Sequence, residues 1–209
     1  MLQSLLAFVG AAVVIALVPG PSTVMVLRQS LREGRRSGVA SVLGNEAGVL
    51  LWGLAAAFGL SALLVASRLA YDGIRLAGAG VLVWFGVHAL WQARRGPARE
   101  GAAAGPVAAG SVGRSFRLGV VTSLANPKAG VFAVSFLPQF VPDGAPVLPT
   151  LVLFSVLWAL IDTVWYLGIV WLVGRVKGLL ERPGVRRRLE QVSGVVLVGL
   201  GVRLAAETR

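Results

Sequence analysis

The sequence predicts an all-α fold, a polytopic membrane helix bundle of about six transmembrane helices, and three observations carry that prediction. Of 209 residues, 56% are hydrophobic and only 14% charged, which lies outside the range of ordinary soluble domains. Apolar runs near bilayer-spanning length recur along the whole chain. The Lys and Arg residues sit between those runs rather than along one amphipathic face, so the net charge of +11 does not read as a nucleic-acid surface.

A spanning helix needs roughly 20 mainly apolar residues. The first candidate runs from Leu5 to Leu27. Met1 to Ser4 carry no charged side chain, so the basic n-region of a signal peptide is missing, and the run continues past signal length into Pro19-Gly20-Pro21. A retained first span is expected. The next candidates are Val39 to Val65, Ile74 to Trp91, Phe116 to Phe140 and Val147 to Val173. The sixth, Gln191 to Ala206, is free of charge only as far as Val202, about 12 residues, short enough for a re-entrant or interfacial segment. Snorkelling of Arg203 to the headgroups is the alternative that lets it cross.

Orientation follows from the basic residues. Arg28, Arg32, Arg35 and Arg36 follow the first span, Arg94, Arg95, Arg99, Arg114 and Arg117 the third, and Arg175, Lys177, Arg182, Arg186, Arg187 and Arg188 the fifth. Only Arg68 and Arg75 fall in the even loops. The positive-inside rule makes the odd loops cytoplasmic and places the N-terminus outside.

Residues 96–113, rich in Ala, Gly and Pro, read as a flexible cytoplasmic linker inside one transmembrane domain, 1–209. It separates a repeat of about 1–95 from a repeat of about 114–209, each with three spans and each opening on a proline-broken span. An odd number of spans makes the repeats inverted. Interrupted helices at matching positions of inverted halves point to a transport site, because the breaks free backbone groups at membrane depth.

Pro19 and Pro21 each remove a helix hydrogen bond, with Gly20 between them, and Asn126-Pro127-Lys128 repeats the device in the fourth span. Ionisable groups inside spans cost about 2.5 to 3.5 kcal/mol each on an insertion scale, and Glu46, Lys128 and Asp162 are those present. By helix rise, Pro21 lies about 9 Å from the cytoplasmic end of its helix, Glu46 about 10 Å, and Lys128 and Asp162 roughly 17 Å. The four converge on one cavity. On the functional reading, Asp162 or Glu46 takes up a proton while Lys128 or the helix amide ends hold a carboxylate. On the structural reading, the charges form a buried ion pair, Glu46 with Lys128 included, or Glu46 faces cytoplasmic water.

Asn45 adjoins Glu46 within Gly44 to Gly48, where the two glycines favour close helix approach. Gly78, Gly80, Gly86, Gly194, Gly199 and Gly201 receive the same packing interpretation. His88, with Trp84 and Trp91 a turn away on either side, suits an interfacial belt. No Cys and a single His leave no soft-metal site, and no cofactor is expected. An intramembrane enzyme would need a nucleophile with a positioned base, and neither Gly-x-Ser-x-Gly nor a second histidine is present. A Walker A signature for nucleotide use is missing as well.

Leu17-Val18-Pro19-Gly20-Pro21, Gly34-Arg35-Arg36-Ser37-Gly38, Gly44 to Gly48, Asn126-Pro127-Lys128 and Phe136-Leu137-Pro138-Gln139-Phe140-Val141 together resemble the LysE/RhtB family of exporters over essentially the whole length. The resemblance implies export of amino acids or close derivatives across the cytoplasmic membrane, driven by the proton motive force. A distant branch of the superfamily makes export of cations or other small metabolites the alternative. Carried over by position, the motif residues are Pro19, Gly20, Pro21, Asn126, Pro127 and Lys128, with Asp162 the acid of the fifth span; Asn45 and Glu46 join them on the residue reading alone. The partners implied are an amino-acid substrate, protons and the lipid bilayer, with a homo-oligomer compatible and nucleic acid not.

Overall fold

The chain is seen in a computed structural model that describes residues 2–66, scattered positions between 73 and 94, and residues 111–142, 144–173 and 182–206. Every regular element among the described residues is helical. In chain order these are α1 (Leu2–Leu17), α2 (Pro21–Ala66), α3 (Val112–Leu124), α4 (Pro127–Val131), α5 (Val147–Trp171) and α6 (Pro183–Ala206). A π turn, Phe132–Phe136, and a 3-10 turn, Leu137–Phe140, prolong α4. Pro138 lacks the amide hydrogen that a regular helix needs there, and Leu137 N bonds back to Phe132 O. Much of the expected third span, Gly78, and the linker through residue 110 lie outside the described residues.

Among the described residues, two helical stretches are long and apolar enough to cross a membrane by length and composition, Pro21–Gly59, which Gly34 interrupts, and Val147–Trp171. A third span results if α3 and the stretch Pro127–Phe140, bent by 55° against each other, are taken as one broken helix. The expected interruption of the first apolar run falls at residues 18–20, between α1 and α2.

Where the arginine-rich segment after Leu27 reads as a loop, the structure is helical on both sides of one residue. Gly34 takes φ 83° and ψ 176°, a conformation closed to most L side chains. A Cβ on Gly38 would collide with Ser30 Oγ, although eight residues of straight helix would separate the two by about 12 Å. The chain therefore doubles back at Gly34, and α2 is two arms joined by a single glycine.

The second arm of α2 packs on α3 and α5. Gly44 and Gly119 set its distance from α3: a Cβ on Gly44 would overlap the Phe116 carbonyl, and one on Gly119 the Ser41 carbonyl. Gly48 faces Ser123 at similarly close range. The packing interpretation thus holds for Gly44 and Gly48, and for Gly86, Gly194 and Gly201, where the third segment meets α6 with added Cβ atoms 2.7 to 2.9 Å from backbone oxygens. For Gly80 and Gly199 no neighbour among the described residues lies within 4 Å of an added Cβ.

α5 displays its amphipathic logic within the membrane. Leu153, Val156, Leu160 and Val164 recur at helical spacing on its exposed face, while Trp158, Asp162 and Tyr166 line the buried one. An aromatic cluster forms around Phe8, whose ring stacks on Phe154 at 4.5 Å and meets Phe140 edge-on at 5.5 Å. Phe132 joins it to Trp158, with ring centres 4.7 Å apart. A smaller cluster of Met25, Val26, Val42, Tyr166, Ile169 and Val170 packs separately. His88 has Trp84 at 5.6 Å and Trp91 at 5.9 Å, ring centre to ring centre.

α6 begins at Pro183, earlier than the apolar run from Gln191. Its 24 residues give a length of about 36 Å, because helix formation continues through charged residues that hydropathy excludes.

Candidate functional site

Pro19 removes the amide that would have capped the carbonyl of Ile15, four residues earlier, and α1 ends there. The replacement donors are the backbone N–H of Val18, at 3.2 Å, and Lys128. Its Nζ donates to Ile15 O and to Val18 O, at 3.1 Å each. A cation at the C-terminal end of a helix also meets the negative end of the helix dipole.

Pro21 opens α2 at its first helical position, where a missing amide hydrogen does no harm. Gly20 precedes it and has no side chain to cap the first turn, although its own N–H reaches Thr23 Oγ1 at 3.4 Å. Ser22 and Thr23 in that turn are buried.

The second interruption repeats the plan with different chemistry. Pro127 removes the donor for Ser123 O, and the Trp52 indole supplies one at 3.2 Å, alongside Asn126 N at 3.1 Å. Asn126 caps α4 by accepting from Lys128 N at 3.0 Å, and its amide donates to Ser22 Oγ at 3.2 Å. That last bond ties the start of α2 to the start of α4.

Asn45, Asn126, Lys128 and Asp162 line one cavity, together with Ile15, Ser22, Ser123, Trp158 and Tyr166. The cavity measures about 10 Å³, room for roughly one water, against the several hundred Å³ usual for ligand sites. Asp162 is buried, and its Oδ1 has no hydrogen-bond partner. A carboxylate oxygen held in that way is expensive unless a proton, a cation or a substrate donor reaches it.

Glu46 stands outside the cavity lining. It is 5% exposed, which removes the reading that it faces cytoplasmic water. Its Oε1 accepts from Asn45 Nδ2 at 3.0 Å while Oε2 is unpartnered, so Glu46 reaches the site through Asn45. The nearest bonds of Lys128 are to carbonyls rather than to Glu46.

Of the residues singled out in the sequence, the structure brings Asn45, Asn126, Lys128 and Asp162 together, with Gly20 adjoining: an added Cβ there would lie 3.8 Å from Lys128 Nζ. Pro21 and Pro127 are exposed and act through the backbone, and Pro19 is part-buried outside the lining. Sequence reasoning missed Ser22, Ser123, Trp158 and Tyr166, being guided by ionisable groups. A signal existed for two of them, since Trp158 and Tyr166 stand four residues either side of Asp162 and so share its helix face.

A polar cavity inside an apolar helix bundle, bounded by the ends of two interrupted helices, is the hallmark of a membrane transport protein. The chain belongs to the LysE family: the model of the LysE type translocator matches residues 13–208. Among its relatives is the homoserine/homoserine lactone efflux protein of Salmonella typhimurium, 27% identical over 200 residues, covering 96% of this chain and 95% of that one. An uncharacterized membrane protein of Pseudomonas aeruginosa is 32% identical over 210 residues, covering 96% and 94% of the two chains. Another, from Bacillus subtilis, is 25% identical over 206 residues, covering 97% and 98%. No solved structure matches the chain.

Proposed function

We propose that this translocator exports amino acids or close derivatives across the cytoplasmic membrane, coupled to proton entry at Asp162. The observation that carries the proposal is the buried, unpartnered oxygen of Asp162 in a cavity that also holds the ends of two broken helices. A zwitterion suits such a cavity. Its ammonium pairs with Asp162, and its carboxylate takes the first-turn amides of α2, which Gly20 leaves without a side-chain cap. Those amides are better placed for the carboxylate than Lys128, two of whose three N–H bonds are engaged by carbonyls.

Protonation of Asp162 releases the ammonium, so that inward proton flow drives outward substrate flow. Glu46, bonded to Asn45 beside the cavity, is the second proton-coupling candidate. The efflux activity named for the Salmonella typhimurium relative supports a small amino-acid-like substrate. The architecture we propose is six spans in two inverted repeats, about 1–95 and 114–209, with the N-terminus outside and the basic loops cytoplasmic. The interruptions at Pro19–Pro21 and Asn126–Pro127 would then be equivalent positions of the two repeats. A homo-oligomer is compatible with this arrangement.

The test is efflux from cells loaded with a panel of dipeptides, whose hydrolysis supplies each amino acid. Wild type is expected to accelerate loss of at least one amino acid, and both Asp162→Asn and an uncoupler to abolish that gain. Retained, uncoupler-sensitive export by Asp162→Asn would move the proton site to Glu46. No export above background by correctly inserted protein would overturn the substrate class.

A further inference from the structure

The last turn of α1 presents two inward carbonyl oxygens, Ile15 O and Val18 O, whose ligand in this structure is an ammonium group from the other half of the chain. Oxygen ligands at the C-terminal end of a half-helix are the arrangement with which transporters coordinate a coupling cation. Ser22 and the carboxylate of Asp162 line the same cavity and add hard oxygen donors around that point. We infer that the end of α1 is a monovalent-cation site and that Lys128 fills it with its own Nζ, as a tethered ion.

The chemistry follows from charge and geometry. An ammonium and a small alkali cation both satisfy carbonyl oxygens, and both offset the negative charge of Asp162 nearby. The tethered ion cannot diffuse away, so the unmodified protein keeps the site filled whatever salt surrounds it. Removing the side chain beyond Cβ leaves two buried carbonyls and a carboxylate without a cation, and a free ion of suitable size then enters. The inference concerns the same cavity as the exporter reading and goes beyond it. Its readout below is heat stability, so either can fail without the other.

The experiment compares thermal unfolding of the full-length protein in detergent, at constant ionic strength, in sodium, potassium, methylammonium or N-methylglucamine chloride. N-methylglucamine is too bulky to enter and serves as the reference. Wild type is expected to melt at one temperature in all four salts. Lys128→Ala is expected to melt about 5 °C or more higher, saturably, in at least one of the three small cations than in N-methylglucamine. Lys128→Met, whose apolar chain fills the space, is expected to show less than half of that gain. Equal melting of Lys128→Ala in all four salts overturns the inference. So does failure of that variant to be recovered folded in any small cation. A second measurement needs no variant: wild type is expected to bind no radioactive sodium, and saturable binding near one ion per chain would show that Lys128 does not hold the site.

Discussion

The two interrupted helices of this translocator are built on one plan and finished with different chemistry. In each, a proline removes the donor that the carbonyl four residues earlier requires: Pro19 for Ile15, Pro127 for Ser123. At the first break the local N–H of Val18 is joined by a charged ammonium reaching across from the other half of the chain. At the second the donor is restored by the neutral Trp52 indole of the adjoining helix. The caps differ too, since Gly20 offers no side chain whereas Asn126 closes its own helix and grips Ser22. The lesson is that the same backbone defect can be closed by fixed neutral donors or by a charged side chain from a distant part of the chain. The second break is sealed, and the first is held by a charge.

Four substitutions test that contrast, in descending order of expected effect. Lys128→Met should lower export by about 100-fold or more, because the cavity loses its cation, Ile15 O loses one of two donors and Val18 O is left without its donor at a cost of about 1 to 3 kcal/mol; initial efflux rates normalised to membrane protein level measure it. Asn126→Ala removes a helix cap and the bond to Ser22. Thermal unfolding should register a loss of about 1 to 2 kcal/mol, with export down roughly tenfold. Trp52→Phe keeps an aromatic ring but removes the indole donor and part of the ring volume, so stability should fall by about 1 to 2 kcal/mol while export changes by less than about threefold. If Trp52→Phe instead matched Lys128→Met in the efflux assay, the two breaks would be equivalent and the contrast lost. Gly20→Ala has ordinary van der Waals room beside Lys128 and should lower stability by about 0.5 kcal/mol or less, read from the same melts.

Much of the site was legible because proline and charge act locally. A Pro-Gly-Pro triplet must release helix carbonyls wherever it lies, and an acid inside an apolar run must find a partner, so Pro19 to Pro21, Asn126 to Lys128 and Asp162 stood out. What Lys128 bonds was not legible. Its partners are the main-chain oxygens of Ile15 and Val18, and a backbone carbonyl has no letter in the sequence. Glu46 illustrates a different limit: helix depth put it in the cavity with Lys128 and Asp162, whereas the fold sets it behind Asn45, outside the lining. The doubling-back at Gly34 was hidden by the arginines around it, which have the composition of a loop while the backbone is helical on both sides. Gly80 and Gly199 meet no neighbour among the described residues, and spacing along a helix does not say which face a neighbour covers.

The turn at Gly34 has a consequence for how this family can vary. Most connections between helices absorb added or deleted residues in slack chain, but here the connection is one residue long. Each residue inserted beside it must be taken into a helical arm, where it rotates everything beyond by about 100° and advances it by about 1.5 Å. One extra residue after Gly34 would swing Asn45 and Glu46 away from the cavity and turn Gly44 from the α3 backbone it touches. Length at this turn therefore sets which residues of the second arm face the cavity.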